Sequence, residues 1–179
     1  VGSEMCIRDS RIAEFKKISK EQFLADGARL LPNYSEAELS QMYEDIRLPK
    51  RATSGSAGYD FYIPCPIKLM PNETITIPTG IRARIDDGWF LMCCPRSGLG
   101  FKYRLRLDNT VGIIDSDYFG ADNEGHIQIR ITNESNSGKI LELKASDAFA
   151  QGIFMPFGIT VDDAAEDKRS GGFGSTSAK

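Results

Sequence analysis

The chain has 179 residues, of which 41% are hydrophobic and 26% charged, with a net charge of -3. That is enough material for one respectable core and too little for two, so one domain with appendages is expected. The charge balance supplies no global attraction to nucleic acid or to an anionic membrane, and neither is expected as a partner. No window approaches the roughly 18 apolar residues of a membrane span, and the first stretch is too polar for a signal peptide. Cys6, Cys65, Cys93 and Cys94 have neither metal-ligand spacing nor the pattern of a secreted disulfide framework, which points to a reducing, cytoplasmic compartment.

Residues 1–10 have no period and read as a cloning or assembly scar. Two helical signals follow, each predicted to open with a capping box: Ser19 with Gln22 before Phe23, and Ser35 with Glu38 before Leu39, Met42, Tyr43 and Ile46. Gly27 weakens the first, and Pro32 and Asn33 separate the two. From about Lys50 the period changes to two, the sign of strands with one buried face. Ile75 and Ile77, then Ile81, Ala83 and Ile85, alternate with polar residues before an Asp86-Asp87-Gly88 turn and the apolar run Trp89 to Cys94. Leu105 and Leu107, the alternating Ile127, Ile129 and Ile131, Leu141 and Leu143, and Phe149 to Met155 supply further strands. The lone His126, at a strand start, reads as a surface residue with no role. Many short strands with frequent turns argue for an all-β barrel or sandwich. The predicted division is 1–49 for the scar and a short helical N-terminal appendage, 50–161 for the β domain, and 162–179 for a flexible C-terminal arm.

Five short segments could carry chemistry. Ser56-Ala57-Gly58-Tyr59-Asp60 combines small residues that allow close backbone approach with a carboxylate able to face a hydrated cation. Pro95-Arg96-Ser97-Gly98-Leu99-Gly100 offers a guanidinium, a hydroxyl and glycine-freed amides for phosphate oxygens. Asn109 through Gly112, Ile114 and Asp115 to Tyr118 and Gly120 reads as a hairpin whose arms could grip a flat ring. Ala150-Gln151-Gly152 lies within a strand, and the tail places Phe173 among glycines between Arg169 and Ser175-Thr176. Taken singly, each is equally an ordinary turn, loop, structural amide or solvated tail.

In this order and spacing, the five segments resemble those of dUTPases of the homotrimeric all-β type, from Ala57 to Thr176. The resemblance implies a jelly-roll-like β-barrel and Mg2+-dependent hydrolysis of dUTP to dUMP and pyrophosphate, limiting uracil in DNA and supplying dUMP for thymidylate synthesis. By position, Asp115 matches the general base that activates water for in-line attack on the α-phosphorus. Asp60 matches the carboxylate that holds the metal site through water, while the phosphates ligate the ion. Arg96, Ser97, Gly98 and Gln151 match phosphate or metal-water contacts. Asn109 and main-chain groups near Gly112 and Ile114 match the reader of the uracil edge, Tyr118 the ring under deoxyribose, and Phe173 the aromatic that closes over uracil. Arg169, Ser175 and Thr176 match groups on the terminal phosphates, with Lys168 able to replace Arg169. The family builds each of three sites from three chains, which implies a homotrimer here.

Ala148-Phe149 stands where the family commonly has Arg-Ile, Phe119 where it often has Arg or Gln, and Ser177 where glycine is common. Two alternatives follow the same residues. One is a dCTP deaminase, or a bifunctional deaminase and dUTPase, on the same fold. The other is a nucleotide-gated regulatory module that uses the N-terminal helices as its docking surface.

Overall fold

The structure, a computed structural model, describes residues 11–165. The first ten residues and the tail from 166 onward lie outside it, and with them Lys168, Arg169, Phe173, Ser175 and Thr176. In chain order the elements are β1 (Ala13–Lys17), α1 (Lys20–Leu30), α2 (Glu36–Asp45), β2 (Lys50–Arg51), β3 (Tyr59–Tyr62), β4 (Ile67–Leu69), β5 (Thr74–Pro78) and β6 (Ile81–Ile85). Then come β7 (Trp89–Pro95), α3 (Ser97–Tyr103), β8 (Leu105–Leu107), β9 (Gly112–Ile114), a 3-10 turn (Ser116–Gly120), β10 (Gln128–Asn133), β11 (Leu141–Leu143) and β12 (Ala148–Pro156).

The chain is mostly β, as the period-2 runs predict, but where a jelly-roll-like β-barrel is expected no closed barrel appears among the described residues. The strands form four sheets among the described residues: β1-β6, β5-β10-β8, β11-β4, and a five-stranded β2-β3-β12-β7-β9. Alternation reports which side chains face inward and carries no information on whether hydrogen bonding runs continuously around a ring, which closure requires. Here β4, β8, β9 and β11 have three residues each, too short to join the sheets into one ladder. The inward faces still meet, and Phe61, Ile77, Leu91, Ile131, Leu141 and Phe149 have no exposed surface.

Three local expectations change. β1 has no clear signature in the sequence, because Glu14 and Lys16 make it look like a polar lead-in; its place comes from antiparallel pairing with β6 and from Phe15. The Phe15 ring packs edge-on to Tyr59 and Phe61 at 5.4 and 5.7 Å. The capping box at Ser35 and Glu38 is complete, whereas that at Ser19 is half made. Ser19 accepts from the Gln22 amide, but the Gln22 side chain donates instead to Asp26 at 2.9 Å and the Ser19 amide donates to Glu124 at 2.8 Å. Gly27 is no mere weakness of α1, since a Cβ there meets Leu39 Cδ2 of α2 at 2.9 Å. Its missing side chain lets the helices touch, and Phe23 and Leu39 are fully buried as a result.

Candidate active site

β3, β12 and β7 bring the first, second and fourth segments together. Asp60 lies opposite Gln151, which in turn lies opposite Cys94. Just past the end of β7, Arg96 places its Nε 3.2 Å from Asp60 Oδ1, so the carboxylate aims the guanidinium. Gln151 Nε2 donates to the Pro95 carbonyl at 3.4 Å. Gly58 is needed here, because a Cβ would sit 2.5 Å from Gln151 Oε1. The segment from Pro95 to Gly100, expected as a loop, is the start of α3, with Arg96 extended at its N-cap and Ser97 and Gly98 exposed in its first turn. Glycine at 98 and 100 hides the helix from a propensity reading.

The third segment builds a different feature. The expected hairpin is a tight turn closed by a single bridge from Leu107 to Thr110, since β8 pairs with β10 and β9 pairs with β7. Sequence shows two apolar runs around a polar turn but not that each finds its partner elsewhere. Asp108 anchors the turn, accepting from Arg130 Nε at 2.7 Å and from the Thr132 hydroxyl. Between these strands lies a pocket of about 280 Å3 lined in part by Asn109, Gly112, Ile114, Cys93, Gln128 and Arg130. That is near the small end of ligand pockets. Gly112 lies opposite Cys93, and a Cβ on it meets the Cys93 Cβ at 3.3 Å. Burial pushes the Cys93 thiol up to about 12, so this wall is an uncharged thiol at neutral pH.

Asp115 follows β9 directly, half-buried and extended, at the N-cap of the 3-10 turn. Tyr118 in that turn is 3% exposed. Its hydroxyl donates to the His126 carbonyl at 2.9 Å and accepts from Asn123 Nδ2 at 2.8 Å.

Alternation along β7 separates the two halves of the site. Cys93, Gly112 and Ile114 face the pocket, whereas Cys94, Gln151, Asp60 and Arg96 belong to the opposite face of the five-stranded sheet. Ile114, next to Asp115, lies opposite Leu91, four residues along β7 from Pro95, or roughly 13 Å. The two features thus lie on opposite faces of the sheet and meet at the adjacent residues Cys93 and Cys94.

A family model described as dUTPase matches residues 44–177. The chain belongs to the dUTPase family. Among dUTPases, the deoxyuridine 5'-triphosphate nucleotidohydrolase of Lactococcus lactis is 40% identical over 136 residues, covering 74% of this chain and 89% of the relative. The crystal structure of the Streptococcus mutans dUTPase is 31% identical with a TM-score of 0.59, covering 82% of this chain and 97% of that one. A mutant dUTPase of phage phi11 of S. aureus, described with a coordinated structural Mg(II) ion, shares the fold at 18% identity and a TM-score of 0.59, covering 87% and 97%.

Residues outside these segments support them. His126, expected at the surface, is completely buried. Its Nε2 accepts from the Gly80 amide at 2.9 Å, so Nδ1 carries the proton and donates to Asp26 Oδ2 at 2.6 Å. Burial alone raises the Asp26 pKa, yet hydrogen bonds from His126, Gln22 and Arg29 outweigh it and hold the carboxyl well below the usual range. The sequence signal is the turn preceding His126: Asn123-Glu124-Gly125 places it where a chain reversal enters the core. Among the described residues no helix is long and apolar enough to cross a membrane.

Proposed function

We propose that this chain hydrolyses dUTP to dUMP and pyrophosphate. The observation that carries the reading is that Asp115, the carboxylate required as base, immediately follows the strand whose Gly112 and Ile114 line the pocket. Uracil enters that pocket with Asn109 and the main chain near Gly112 and Ile114 reading its edge. Cytosine leaves those groups mispaired, a discrimination of roughly 10^4 to 10^5 in sites of this kind. Asp115 takes a proton from water as it attacks the α-phosphorus in line. Tyr118, within the turn that follows Asp115, is in this reading the ring under the deoxyribose.

Arg96, Ser97, Gly98 and Gln151 neutralise and orient the phosphates. The donor set of Asp60, Ser97 and Gln151 is oxygen-rich with a single carboxylate, which suits Mg2+, an ion that keeps several waters and takes other ligands from phosphates. Asp60 holds it through water, and the bound ion offsets triphosphate charge. Arg169 or Lys168, Ser175, Thr176 and Phe173 on the 162–179 arm close over the terminal phosphates and the base.

The assembly in this reading is a homotrimer with shared sites. Its support is the arrangement of the pocket and the Arg96 cluster on opposite sheet faces, which calls for phosphate ligands from another copy.

The test is pyrophosphate release with Mg2+ from dUTP, dCTP, dTTP and UTP in parallel. Release from dUTP alone is expected. Ammonia from dCTP moves the chain to the deaminase branch, and binding of dUTP without turnover of any nucleotide moves it to a regulatory module.

A further inference from the structure

The segment that follows Asp115 is held from one side by the N-terminal helix. Asn123 to His126 form a tight reversal, with the His126 amide donating to the Asn123 carbonyl at 3.1 Å. Both central residues have positive φ, 59° at Glu124 and 70° at Gly125. Glycine suits that conformation; a glutamate there is strained and persists only when its surroundings over-determine it. What holds Glu124 is α1: Oε2 accepts from the Ser19 amide at 2.8 Å and Oε1 from the Ser19 hydroxyl at 2.6 Å.

From Glu124 the connection continues into the turn after Asp115. Arg82 on β6 lies 3.8 Å from Glu124 Oε2, donates from its NH2 nitrogen to the Phe119 carbonyl at 2.6 Å, and stacks its guanidinium 3.6 Å from the Phe119 ring centre. A second connection runs in parallel, from Asp26 of α1 to the His126 ring, and from the His126 carbonyl to the Tyr118 hydroxyl. Both start on α1 and end on residues of the same five-residue 3-10 turn.

We propose that α1 and Arg82 are positioning elements for the turn that carries Asp115 and Tyr118, with Ser19–Glu124–Arg82–Phe119 and Asp26–His126–Tyr118 as the two tethers. The functional half of this inference rests on the proposed dUTP hydrolysis; the tether itself does not. Arg82 touches neither pocket nor phosphate cluster, so its loss acts on the geometry of the turn. A planar guanidinium both stacks on a ring and donates to a carbonyl, which an ammonium does less well.

The experiment compares Arg82→Met, Arg82→Lys, Glu124→Gln and Ser19→Ala in the full chain by amide hydrogen exchange and by steady-state kinetics with dUTP. Exchange at amides 115–121 is expected to accelerate in Arg82→Met while β7 and β12 amides stay protected. kcat is expected to fall roughly 10- to 100-fold with KM within about 2-fold, since a misplaced base slows chemistry more than it weakens binding. Arg82→Lys is expected to recover part of kcat. Should Arg82→Met fold poorly, Glu124→Gln and Ser19→Ala thin the same tether with less disturbance and carry the same expectation at smaller size. Unchanged exchange at 115–121 in folded variants overturns the tether. Accelerated exchange with unchanged kcat overturns its functional role, and absence of dUTP turnover in the parent chain overturns the proposed activity while leaving the exchange result to decide the tether.

Discussion

Gly125→Ala is the substitution whose cost the structure fixes most tightly. An alanine Cβ there lies 2.6 Å from the Tyr118 carbonyl oxygen and 2.8 Å from Phe119 Cα, both backbone atoms with no rotamer to escape into. The φ of 70° adds a left-handed penalty of about 1–2 kcal/mol. Overpacking of this kind adds about 1–3 kcal/mol, for a total of roughly 2–5 kcal/mol. Gly88 is the internal control, with φ of 81° and nothing within 4 Å of where an alanine Cβ would sit, so Gly88→Ala carries the conformational penalty alone. Urea unfolding at equal protomer concentration measures both. For a chain of this size each kcal/mol moves Tm by about 2–4 °C, and Gly125→Ala should melt well below Gly88→Ala. Turnover measured where both variants are folded should fall only in Gly125→Ala, because the displaced atoms belong to the turn after Asp115. The reasoning is refuted if the two variants agree within about 0.5 kcal/mol, a spacing at which no clash is being felt.

Two further outcomes follow from the site. Cys93 has its thiol raised to about 12 by burial, so it stabilises the fold fully below the ordinary thiol value of 9.0 and loses that contribution as pH rises from there towards 12. Between pH 8 and 10.5 the parent should lose about 2 kcal/mol more than Cys93→Ala, read by chemical unfolding at each pH; parallel curves contradict the assignment. Gly58→Ala forces the Gln151 amide, 2.5 Å from the new Cβ, to swing away. The Gln151 end is flexible, so stability should hold while KM for dUTP rises several-fold, and an unchanged KM removes Gln151 from the phosphate contacts.

The strands are legible because side-chain alternation is set by burial, and Ile81, Ala83 and Ile85 or Ile127, Ile129 and Ile131 display it without interruption. The joining of strands into sheets is not, because the partners of β8 and β9 are chosen by packing across the whole molecule. At the site, residue types in order point to Asp60, Arg96, Asp115 and Gln151, yet no spacing can say that the pocket and the Arg96 cluster occupy opposite faces of one sheet. His126 misleads for a related reason. A lone histidine is polar by composition, and its burial depends on Asp26, a hundred residues earlier in the chain, reaching it across the fold. Arg82 looks like the solvent side of an alternating strand, whereas Phe119 and Glu124 cover it.

The most direct test of the central claim, water activated by Asp115 attacking the α-phosphorus of dUTP, is turnover in 18O-labelled water with mass analysis of both products. The account predicts one labelled oxygen in dUMP and none in pyrophosphate, with the labelled product lost in a folded Asp115→Asn variant. Label in pyrophosphate, or undiminished labelling of dUMP by Asp115→Asn, contradicts it.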